Sequence, residues 1–307
     1  MLSDTITILI VLIYFYTLFL LYKLKPLGKK IFLPLALLSL TLTSILGLER
    51  SVKAEENMPN EYRLIKKVVN KLAKSNDLGK RPIFFTINSG YATEWAAQDL
   101  NLCKKGECAY FGDLNPFKSY SGNSSAEVNE AIRQAYIFGT TAFFAYSNGT
   151  ISIARYSFKS LDNREDLLSC TIAHELQHFL SDSIFNDSLK ASQLPSNLSK
   201  EKREIAEARF SRQTEVEADQ GSVIMNNNAG YPLDTCLKAL DYRSRIRGIA
   251  DATSELDTHP GYKERLAKMR SFIAKYKTQL PSQTQNKTTP GEWNYDSDLN
   301  LLKFSPK

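Results

Sequence analysis

At 307 residues, with 39 Lys and Arg against 33 Asp and Glu and a net charge of +6, the chain is long enough for one sizeable domain with appendages. Part of the basic excess lies on lysines flanking two apolar stretches, and no basic stripe interleaved with aromatics is present, so a nucleic-acid partner is not expected. Hydrophobicity is ordinary overall but unevenly spread, and that unevenness sets the domain plan.

The stretches 5–22 and 31–48 each run 18 residues without a charge. At a helical rise of about 1.5 Å per residue each would span about 27 Å, close to the hydrocarbon thickness of a bilayer. They are read as a two-helix transmembrane hairpin. The loop between them carries Lys23, Lys25, Lys29 and Lys30 while residues 1–4 carry no basic side chain, which puts the loop in the cytoplasm and both ends outside. Arg50, Lys53, Arg63, Lys66 and Lys67 pull the other way, and the balance favours an extracytoplasmic domain. Val52-Lys53-Ala54 also reads as a small-residue cleavage site, so processing after Ala54 stays open as a route to release. The expected plan is a membrane anchor at 1–54, a folded domain at 55–280, and a linker and C-terminal tail at 281–307.

Along that domain, residues 61–74 place Ile65, Val68, Val69 and Leu72 on one side of an amphipathic helix, and 82–87 reads as a buried strand. Residues 91–121 are irregular and are taken as an insertion. Within it Cys103 and Cys108 bracket a turn-like KKGE and form a candidate disulfide, which suits an oxidising compartment. The partners of Cys170 and Cys236 are not readable. A helix over 125–138 precedes a hairpin over 142–156, in which AFFAYS and TISIARY meet around Asn148-Gly149. The next helix is expected from about Asp162 to Ser181, then a polar surface loop over 183–199. A long helix over 200–226 stops at Gly230, and further helices follow over 232–245 and 262–276. Residues 292–304 either return as a strand or form a loose tail.

The helix after the hairpin contains TIAHELQHFL, in which His174 and His178 stack one turn apart on one face. Two of the chain's three histidines sit in this motif. Ring nitrogens so spaced can grip one metal ion, and Glu175 beside the first can take a proton from water held there. A catalytic zinc needs a third protein ligand. EVEAD at 215–219 offers Glu215 and Asp219 on one face of the long helix, so one can bind metal while the other hydrogen-bonds a ligand imidazole.

HELQH at 174–178, EVEAD at 215–219 and DTHPGYKERL at 257–266 together resemble the three signature blocks of the gluzincin peptidases that include the CAAX prenyl endopeptidase and HtpX. The resemblance covers about 61–277. It implies an α+β, mostly helical zincin-like domain with a small sheet. It also implies His174, His178 and Glu215 as ligands of one Zn2+ and Glu175 as general base. Asp219 would support a ligand, His259 would act on the substrate or the tetrahedral intermediate, and Arg265 would stabilise that region by ion pairing. Thr141 stands where the family has an Asn, and the insertion is foreign to a minimal domain. Two candidate spans in place of many make prenylated substrates improbable. The expected function is a membrane-anchored zinc endopeptidase acting on unfolded or misassembled polypeptides. The alternatives are a non-cleaving assembly factor on the same fold and a signalling protease with one substrate.

Overall fold

In the computed structural model, residues 57–88, 92–105, 107–108, 125–138, 143–247, 252–278 and 287–307 are described. The two apolar stretches, Ala54, Thr141 and the second half of the insertion lie outside them. Among the described residues no helix is long and apolar enough to cross a membrane. One compact unit runs from Met58 to Lys307.

Helix α1 (Asn60–Ala73) buries the expected stripe, with Ile65, Val68, Val69 and Leu72 joined by Tyr62. Strand β1 (Ile83–Asn88) alternates strictly, Ile83, Phe85 and Ile87 facing the core. Helices α2 (Ala92–Asp99) and α3 (Ala126–Phe138) pack on one another through Ala97 and Ile132, a small cluster apart from the main core. The hairpin follows as β2 (Phe143–Ala145) and β3 (Thr150–Ala154). Gly149 has φ +88°, and a Cβ there would meet the Pro82 carbonyl at 2.9 Å and the Phe179 ring at 3.0 Å, so the turn requires glycine. The second strand ends earlier than expected, because Arg155 opens the short helix α4 (Arg155–Ser160).

Helix α5 (Glu165–Leu180) carries the HELQH motif. It begins three residues later than Asp162: Asp162 and Asn163 both adopt positive φ, which breaks the chain between α4 and α5. The expected surface loop over 183–199 is also corrected, since Ser183–Ser192 forms α6 and only 193–199 connects it onward. Helix α7 (Lys200–Asn228) is capped by Ser199, whose hydroxyl accepts from the Lys202 amide. It ends at Gly230 in the left-handed conformation. Helices α8 (Thr235–Arg247) and α9 (Tyr262–Thr278) follow.

Of the two readings open for 292–304, the structure has the strand, and has two of them, β4 (Gly291–Asp296) and β5 (Leu301–Pro306). Among the described residues the sheet has five strands, in the order β2-β3-β1-β5-β4. Strand β1 runs parallel to β3 with Phe85 opposite Ile151, and antiparallel to β5 with Phe85 opposite Leu302. Tyr62 locks this junction: its hydroxyl donates to the Asn300 carbonyl at 2.5 Å and accepts the Ile87 amide at 3.1 Å. The Asn300 amide group in turn donates to the Ile87 carbonyl at 2.7 Å. Apolar side chains from α1, β1, β3, α5, α9 and β5 share one core.

The motif helix is held in the middle of the helical layer, packed against α7, α8 and α1. Gly221 of α7 faces Gln177 so closely that a Cβ would stand 2.5 Å from that side chain. A disulfide between Cys170 of α5 and Cys236 of α8 cross-links two of these helices, and a second joins Cys103 and Cys108.

Candidate metal centre

Helix α5 delivers two imidazoles to one point, because residues four apart lie nearly above one another. Nε2 of His174 and Nε2 of His178 stand 3.1 Å apart. Glu215, from α7, closes the third side, with Oε2 at 3.2 Å from His174 and Oε1 at 3.2 Å from His178. Ligand atoms of His174, His178 and Glu215 all lie within 4.8 Å of one another.

Each imidazole is oriented from behind. His174 Nδ1 lies 3.1 Å from Asp219 Oδ1. Asp219 is gripped bidentately by Arg265 of α9, at 2.8 Å from Nε and 2.6 Å from the terminal nitrogen. His178 Nδ1 lies 3.1 Å from Ser183 Oγ, while that hydroxyl donates to the His178 carbonyl at 3.2 Å. A hydroxyl whose proton is committed to the carbonyl accepts from the ring, which puts the His178 proton on Nδ1 and leaves Nε2 as a lone pair. If a metal ion is held here, Ser183→Ala should weaken its binding about 10–100-fold, with Ser183→Thr retaining most of the affinity, as read by competition with a chromophoric chelator.

The electrostatics favour a cation. Burial by itself would raise the Glu215 carboxyl, but His174 and His178 outweigh it and hold it well below the usual carboxylate range. Asp219, also buried, is brought down to about 2 by Arg265 and His174. Burial would push His174 down, yet Glu215 and Asp219 lift it to about 10. A field that favours a proton on His174 favours a metal ion at the same point. Glu215 Oε2 is a buried acceptor with no hydrogen bond, the kind of atom a metal satisfies. Two imidazoles and one carboxylate form the donor set of a catalytic zinc with a fourth position left open, so the residues fit the metal.

Glu175 is buried beside His174, and its negative charge acts on both His259 and Arg265. His259 arrives on the loop before α9, with Nε2 at 3.4 Å from Glu215 Oε1 and a side chain 64% exposed. It is thus at the triad but open to a substrate. Arg212, one turn before Glu215, clamps that loop by donating to the carbonyls of Glu255 at 2.9 Å and Asp257 at 2.5 Å. The structure brings His174, Glu175, His178, Glu215, Asp219, His259 and Arg265 into one neighbourhood. The Cys103–Cys108 bridge lies in the insertion, outside this group.

Sequence reasoning missed Ser183 and Arg212. The only signal for Ser183 is its closeness in sequence to His178, and Arg212 acts on carbonyls more than 40 residues away.

Residues 197–273 match the model of peptidase family M48. This is a metallopeptidase family, and the matched segment contains Glu215, Asp219, His259 and Arg265. His174, Glu175 and His178 precede the M48 match, so their convergence on Glu215 is an observation independent of it. No curated protein and no solved structure matches the chain.

Proposed function

We propose that this chain is a membrane-anchored zinc endopeptidase that hydrolyses unfolded or misassembled polypeptides on the extracytoplasmic side, in protein quality control at the envelope. The observation that carries the reading is the meeting of two helix-borne imidazoles with a carboxylate from a different helix, the latter inside a segment that matches a metallopeptidase family. Two further features support its placement. The charge-free stretches at 5–22 and 31–48 have the length of membrane spans, and two disulfides suit an oxidising compartment.

Zinc held by His174, His178 and Glu215 would polarise the peptide carbonyl and acidify water at the site. Glu175 then moves the proton: its carboxylate accepts one from the attacking water and returns it to the leaving amine. Ser183 keeps the ring proton of His178 on Nδ1, and the Asp219 carboxylate 3.1 Å from Nδ1 of His174 electrostatically favours a proton there, which leaves the Nε2 lone pairs for the centre. His259, exposed beside Glu215, is placed to donate to the substrate oxygen as charge develops. No covalent intermediate with a side chain is required.

The test uses full-length chain purified in detergent. About one zinc per chain is expected, with casein cleavage that a chelator removes and zinc restores. Well-folded protein that binds no zinc would overturn the reading.

A further inference from the structure

The Cys170–Cys236 bridge closes a loop across a sequence separation of 66, and that loop contains all three candidate metal ligands, His174, His178 and Glu215. Ser183 and Asp219, which back the imidazoles, lie inside it as well. Cys170 stands one turn before His174 on α5, so the two share a face of that helix. Both line one small cavity with Asp219, Cys236 and Arg265. The bridge is thus packed behind the contacts that orient His174, in which Arg265 grips Asp219 and Asp219 faces Nδ1.

Helix α8, which supplies Cys236, is otherwise lightly held. Its buried apolar side chains among the described residues are Cys236, Ala239 and Leu240, so apolar burial fastens it only modestly. Yet it packs on both α5 and α9, the helices that carry His174 and Arg265. A covalent link from α8 to α5 therefore fixes the imidazole relative to the guanidinium that supports it. The same link shrinks the ensemble through which α5 and α7 must find one another before their ligands can meet.

We propose that closure of Cys170–Cys236 gates the metal centre: the site takes up zinc tightly only after the two thiols have been oxidised, so the chain is competent in an oxidising compartment and idle in a reducing one. This gate rests on the metal centre of the peptidase reading and adds its control. In the closing step the two thiols give up two protons and two electrons as the S–S bond forms. A disulfide-bearing oxidant accepts them, its own S–S bond breaking to leave two thiols. Once closed, both sulfur-bearing residues are buried, which keeps thiols in solution from the bond. The gate is therefore an assembly step and not a rapidly reversible sensor. The bridge between Cys103 and Cys108, five residues apart and outside the site, serves as the internal control.

The test measures zinc affinity by competition with a chromophoric chelator, on full-length chains in detergent whose folding is checked by circular dichroism. Cys103→Ser with Cys108→Ser should leave the affinity at the wild-type value. Cys170→Ser with Cys236→Ser should lower it by about 10-fold or more. Should that second pair fail to fold, the chain carrying Cys103→Ser and Cys108→Ser is purified in the reduced state, freed of reductant and titrated, then titrated again after oxidation by glutathione disulfide. Its affinity should rise by about 10-fold or more on oxidation. A lower melting temperature with unchanged affinity would make the bridge a structural staple and overturn the gate. Equal losses on removing either bridge would overturn it too. Both of those results leave the peptidase reading in place. Oxidised wild type that folds and binds no zinc would overturn that reading and the gate with it.

Discussion

Glu175→Gln should lower peptide-bond hydrolysis by about 10²–10⁴-fold while leaving zinc content at about one per chain. Gln has nearly the same shape but cannot accept a proton, so the exchange removes one step and little else. The candidate ligand atoms come from His174, His178 and Glu215, none of which is altered. Metal analysis and initial-rate cleavage of casein on the same preparations separate the two effects. Loss of zinc together with activity would make Glu175 a structural support. Full activity in the variant would sink its role as proton carrier, and biological function retained without hydrolysis would move the chain to the assembly-factor alternative.

Arg265→Met should destabilise the folded unit by about 3–5 kcal/mol, because it strands the buried Asp219 carboxylate without its bidentate partner. Asp219 and Arg265 are both buried, and the pair lies directly behind His174. The double variant Asp219→Leu with Arg265→Met should recover much of that loss in urea melts, yet bind zinc more weakly because His174 has lost the acceptor behind Nδ1. Acid dependence checks the assignment. Asp219 titrates at about 2 in the folded chain, and its pKa is about 3.9 when unfolded. Its contribution in the wild type is thus complete above about pH 4 and disappears as pH falls through about 2; without Arg265, burial raises the Asp219 carboxyl, so the gap between wild type and Arg265→Met should already narrow above pH 4 and be closed near pH 2. A constant gap down to pH 2 would argue that Arg265 stabilises the fold by packing alone.

The candidate metal site was legible because His174 and His178 sit four residues apart on one helix, as do Glu215 and the supporting Asp219 on another, a spacing that carries three-dimensional information. The turn at Asn148-Gly149 and the stop at Gly230 were legible for a similar reason, since positive φ demands particular residues. What escaped was whatever depends on contacts between elements. Ser183–Ser192 reads as loop because Ser, Asn and Asp compete with the helix for backbone hydrogen bonds. Tertiary contacts hold it as a helix: Thr214 of α7 donates to Asp187 at 3.0 Å, and Arg203 caps its last turn through the Ala191 carbonyl at 3.1 Å. The late start of α5 follows from Asp162 and Asn163, which are good first-turn residues by type but are used here for a left-handed turn. The pairing of Cys170 with Cys236, 66 residues apart, carries no local signal at all.

The position of β5 has a bearing on when this molecule can become active. Strand β1 is not at an edge of the finished sheet, yet one of its two neighbours is supplied by residues more than 200 positions later. Leu302 and Phe304, fully buried, join the same core that supports Ala173 and Leu176 beneath the HELQH turn. Until that strand is made and docked, β1 keeps an open ladder and the floor under His174 is incomplete. Closing so long a loop comes late in folding. A chain made only as far as β4 would therefore carry an unfinished candidate centre, whose completion waits on a strand that follows every helix around it.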